Sequence, residues 1–65
     1  MVTNSDLYRA ARETKFASEW CRDASREDDR STREAMVASA VDELRQAATY
    51  LGLSLVVAPS PPLDN

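Results

Sequence analysis

Alanine recurs every seventh residue in two stretches of this chain, at Ala10, Ala17 and Ala24 and again at Ala40 and Ala47, and no other feature restricts the fold so strongly. Seven residues is close to two turns of an α-helix, so such a repeat keeps one side of a helix facing the same neighbour. A second row follows the same period: Leu7, Thr14 and Cys21 in the first stretch, Val37, Leu44 and Leu51 in the second, with Met36, Val41 and Ala48 on the flank. The pattern predicts an all-α fold in which two helices meet along a seam that alternates alanine with these larger residues. Alanine at every other position lets the backbones approach to about the 8 Å lower end of ordinary helix packing. The resulting expectation is an antiparallel two-helix hairpin, an alanine-rich coiled coil, with a short extended C-terminal tail.

Start and stop signals bound the two helices. Thr3 with Asp6 three residues on has the pattern of a reciprocal N-terminal cap, and Val2 and Leu7 sit where a hydrophobic staple closes. The first helix is expected over about residues 4–27. Ser31 and Glu34 repeat the cap pattern before the second run, which predicts a helix over about 32–51. Gly52 then supplies the left-handed residue that ends a helix, with Leu53 folding back toward Ala48.

A single rod over residues 4–51 is a rival, because the connection holds neither Gly nor Pro. Phase decides between them. At about 100° per residue the two apolar stripes point roughly 145° apart, so a straight rod would carry no continuous seam. Asp28, Asp29 and Ser31 suit a turn at 28–31, and their acidity favours the start of the following helix. Beyond Gly52, residues 53–58 form a β-prone run too apolar to stand open, expected to lie on the hairpin or to pair with the same run of another chain. Residues 1–58 thus make one domain, and 59–65, with Pro59, Pro61 and Pro62, a flexible tail.

A chain of 65 residues buries a small fraction of its surface unless something staples it. One cysteine makes no internal disulfide, and the absence of histidine removes the common Cys/His zinc sites. Oligomerisation, or docking on another protein, is the remaining device, and a homodimer closing into a four-helix bundle is expected. Cys21, on the expected seam, reads as a buried and inert thiol. A lone glycine leaves no phosphate-binding loop, the acidic run Glu27, Asp28, Asp29 lacks calcium-loop spacing, and carboxylate pairs on a hairpin have no cleft to shift them. The chain is therefore read as non-enzymatic and without a cofactor. No stretch approaches the roughly 20 apolar residues of a membrane span, and nothing resembles a leader, so a cytoplasmic location is expected.

Two surfaces stand out as candidate binding sites. Phe16 and Trp20, four apart beside the alanine row, form an aromatic ledge that a foreign partner, a second copy or the Leu53, Leu55 and Val57 side chains could cover. Tyr8 and Tyr50 point away from both seams. The other surface is the series Arg22, Arg26, Arg30 and Arg33, which raises a nucleic-acid regulator as the alternative function. Net charge is −3, from 8 basic and 11 acidic residues, and acids interleave with the arginines. Pairs such as Arg9/Glu13, Lys15/Glu19, Glu19/Arg22 and Asp23/Arg26 read instead as a salt-bridged, solvated face, which favours a protein-interaction module over a phosphate-binding strip.

Overall fold

The structure is a computed structural model and describes residues 1–58; the expected tail at 59–65 lies outside them. Two helices, α1 (Asn4–Ser25) and α2 (Arg30–Tyr50), fold back on each other, and among the described residues there is no strand. Cα atoms of α1 and α2 approach within 8 Å. The single rod is thereby excluded.

Each helix end satisfies its free backbone groups with a nearby side chain or turn. At the start of α1 the Thr3 hydroxyl accepts from the Asp6 amide at 3.1 Å, and the Asp6 carboxylate accepts from the Thr3 amide at 2.9 Å. These bonds hold the Asp6 carboxyl below its ordinary value. Helix α1 stops earlier than expected, with Arg26 as its last cap residue. The chain then turns through residues 26–29, where the Asp29 amide donates to Glu27 Oε1 at 3.0 Å.

The cap of α2 corrects the expectation of a Ser31–Glu34 box. Asp29 caps instead: its Oδ2 accepts from the Thr32 amide at 2.8 Å and from the Thr32 hydroxyl at 2.7 Å. Two bonds to one carboxylate outweigh what a serine hydroxyl two residues later offers, and the helix begins sooner. Glu34 is left to pair with Arg30, Nε to Oε1 at 3.2 Å. At the far end Gly52 adopts φ +75°, the Leu53 amide reaches the Ala48 carbonyl at 2.8 Å and the Gly52 amide the Thr49 carbonyl at 3.0 Å. Those paired bonds are the left-handed helix stop that the sequence indicated.

The buried interior consists of alanines. Ala10, Ala17, Ala24, Ala40 and Ala47 are 3–5% exposed, and the only other buried residue among those described is Glu13. The rest of the expected seam is corrected. Leu7, Thr14, Cys21, Val37, Leu44 and Leu51 are all exposed. Residues on the other side of the alanines line the contact instead: Asp6, Glu13 and Trp20 from α1, Glu27 from the turn, and Met36, Glu43 and Tyr50 from α2, each half-buried or buried.

Helical geometry relates these two rows. Positions three before and four after each alanine project to one side of the hairpin, and positions four before and three after to the opposite side. Because the helices are antiparallel, equivalent rows of α1 and α2 share a side. The hairpin closes over its polar and aromatic side and opens along its aliphatic side.

Candidate functional site

The closed side is a mixed surface. The Glu43 carboxyl lies within hydrogen-bonding reach of the Glu13 carboxyl across the seam, and this bond, followed by burial and by the charges of Glu13 and Asp42, holds Glu43 above the usual carboxylate range. Arg12 Nη2 stands 3.5 Å from Glu13 Oε1 and offsets part of that repulsion. The Arg9 guanidinium lies over the Tyr50 ring, 5.9 Å from its centroid. Tyr50 is thus half-buried in the contact, correcting its expected place on the outer surface; Tyr8 is exposed.

Sequence reasoning missed the Glu13–Glu43 pair, since it assigned Glu13 to an outer ladder with Arg9. The detectable clue was spacing: Glu13 and Glu43 each stand three residues after a seam alanine. Among the described residues none of the four expected charge pairs forms an ion pair; Arg12 with Glu13 and Arg30 with Glu34 do.

Phe16 and Trp20 lie on the closed side, Trp20 half-buried in the row that follows the alanines and Phe16 on its outer edge, 39% exposed. Leu53, Leu55 and Val57 remain exposed, as does Val56, so the run 53–58 is not buried against the hairpin. Val41 and Ala48, half-buried, fall toward the open side, away from the aromatic pair.

Arg22 and Arg26 at the end of α1 and Arg30 and Arg33 at the start of α2 meet at the bend, all exposed. They share it with Asp23, Glu27, Asp28, Asp29 and Glu34, more acids than arginines. The bend therefore has little net field to offer a phosphate backbone.

The open side carries an exposed aliphatic row. Leu7, Val37, Leu44 and Leu51 are 38–51% exposed there. Cys21 belongs to this row and is exposed, correcting its expected burial. The described residues enclose no cavity, and no three of their His, Cys, Asp or Glu side chains cluster to hold a metal ion. No described helix is long and apolar enough to cross a membrane.

Comparison with protein-family models, with curated proteins and with solved structures finds no match.

Proposed function

We propose that this chain is a non-enzymatic protein–protein interaction module, a small accessory or regulatory protein that operates as a homodimer, with two hairpins closing into a four-helix bundle. In this reading the alanine rows form an antiparallel coiled coil within each chain. The bundle presents Phe16, Trp20, Leu53, Leu55 and Val57 to a further protein. A cytoplasmic setting suits the unpaired thiol of Cys21.

One observation carries the reading. No large side chain of the described residues is fully buried, while four aliphatic residues of one face stand more than a third exposed. Alanine methyl groups contribute little apolar area, and a chain of this size needs more burial than such a seam provides. A second hairpin supplies it.

Sedimentation equilibrium over a wide concentration range, paired with urea unfolding at two concentrations, tests the proposal. A dimer whose unfolding midpoint rises with concentration is the expected result. A monomer at every concentration with a fixed midpoint, together with capture of nothing from host extract, would refute it.

A further inference from the structure

The open side has a composition that the rest of the hairpin lacks. Residues three before, one after and four after each seam alanine all project toward it. On α1 these are Leu7, Ala11, Thr14, Ser18, Cys21 and Ser25; on α2 they are Val37, Val41, Leu44, Ala48 and Leu51. None of these is charged, although charged residues make up 29% of the chain, and the same rows reach charge only beside the bend, at Asp28 and at the mutually paired Arg30 and Glu34.

The two halves also differ in size. Apart from Leu7 the α1 half is small, with Ala, Ser, Thr and Cys, whereas the α2 half is mostly Val and Leu. The face is a shallow trough beside a ridge.

A ridge beside a trough is complementary to itself under one two-fold rotation. With the axis parallel to the helices, α2 of one copy lies over α1 of the other and runs antiparallel to it, ridge into trough at both places. With the axis across the helices, trough would meet trough and ridge would meet ridge, leaving a gap on one side and a collision on the other.

The size of the face is adequate. A helix of 22 residues is about 33 Å long, and two helices at ordinary spacing are about 18 Å wide, so two copies would bury on the order of 1,100 Å², within reach of a specific interface. The charges within that area, Arg30 and Glu34, sit at its rim beside the bend and already pair with each other at 3.2 Å, so the ion-burial penalty falls on the edge and not on the centre of the face.

We infer that the occupant of this face is a second copy of the chain, related by a two-fold axis parallel to the helices, with the Val37, Leu44 and Leu51 ridge of each hairpin seated on the Ala11, Thr14 and Ser18 trough of the other. The inference rests on the homodimer reading above and adds the face and the symmetry. It also sets the aromatic ledge on the outside of the assembly.

The rotation also places the one thiol. An axis parallel to the helices leaves the level of each residue unchanged, so both Cys21 side chains stand at the same height and point toward the bundle's centre. An axis across the helices would separate them along the bundle by roughly 20 Å, from the distance of Cys21 to the middle of α1 at 1.5 Å per residue.

Two measurements on the whole chain decide the matter. The first is treatment of dilute wild-type protein with a short bifunctional maleimide, the probe being the reagent itself. Covalent dimer through Cys21 is expected, formed as chains exchange, with slow labelling of the thiol by a one-armed maleimide in the assembled dimer; rapid one-armed labelling there without cross-link overturns the symmetry. The second is sedimentation equilibrium of Leu44→Lys and Phe16→Lys. Leu44 is 41% exposed in the single hairpin, so a lysine there keeps its charge in water unless a second chain covers it.

Leu44→Lys is expected to weaken dimerisation by roughly a hundredfold or more, since two unpaired charges enter the interface, while Phe16→Lys changes it by less than about threefold. The reverse ranking would overturn the inference and leave the homodimer reading standing on the other face. Wild-type chain that stays monomeric would remove both. Should Leu44→Lys lose helicity, the cross-link in wild type and the Phe16→Lys comparison still decide.

Discussion

Replacing Ala40 by leucine tests whether close approach of the helices depends on alanine. Ala40 is 3% exposed, inside the contact between α2 and α1. An isobutyl group there has no room unless the helices separate, and overpacking of this kind typically costs about 1–3 kcal/mol. For 65 residues the unfolding entropy is about 0.14 kcal/mol per degree, so the melting temperature should fall by about 7–20 °C. Ala38→Leu, two residues away on the exposed back of α2, is the matched control. Both residue types favour the helix, and the exposed change should stay within about 0.5 kcal/mol, or a shift under about 4 °C. Circular dichroism melts of wild type and both variants at one concentration measure the difference, concentration being fixed because assembly feeds into the midpoint. If Ala40→Leu melts at or above Ala38→Leu, the seam has slack and the argument from close approach fails.

The caps and the carboxyl pair are each open to a direct test. Asp29→Ala should destabilise by about 1 kcal/mol while Ser31→Ala leaves the urea midpoint unchanged, because Asp29 alone bonds the Thr32 amide and hydroxyl. Gly52→Ala should cost about 1 kcal/mol by the same assay, since φ is +75° and the nearest atom to an added Cβ, Val2 Cγ2 at 3.9 Å, gives no steric clash to blame instead. The pH dependence has two limbs of opposite sign. Glu43, raised above its ordinary 4.5 chiefly by the Glu13 hydrogen bond, contributes stability that is complete below that value and fades as pH climbs through the raised one. Asp6 and Asp29, lowered from 3.8 by bonds to Thr3 and Thr32, contribute stability that is complete above that value and fades as pH falls through the lowered ones. Urea midpoints should therefore peak in mild acid, and Glu43→Gln should flatten the limb toward neutral pH; an unchanged limb in that variant would rule out the carboxyl pair as its source.

The two helices were legible because alanine at every seventh place marks a helix face pressed against a neighbour, and the Thr3–Asp6 cap and Gly52 stop are local chemistry that needs no tertiary contact. The rotation of the helices about their own axes was not legible. A heptad places two rows beside the alanines, and hydrophobicity selected Leu7, Thr14 and Cys21 with Val37, Leu44 and Leu51. Within the chain the contact closes instead over Glu13, Trp20, Met36, Glu43 and Tyr50. These side chains have apolar stems or rings that cover methyl groups while their polar ends reach water or each other. Periodicity reports that a row faces a neighbour, and it carries no information on whether that neighbour belongs to the same chain. Asp29 was missed for a simpler reason: Ser31 with Glu34 matches a familiar cap pattern, and the first carboxylate before it captured the helix start.

The connection between α1 and α2 spans residues 26–29. Methyl groups have no rotamers to surrender when they meet, so each alanine contact forms without side-chain entropy loss. Contacts beside the bend close the shortest loops, and those near Thr3 and Gly52 the longest. The hairpin consequently fastens from its bend outward like a zip and comes undone from the opposite pole. Backbone amides around Leu7 and Thr49 should exchange with deuterated water before those around Trp20 and Ala40.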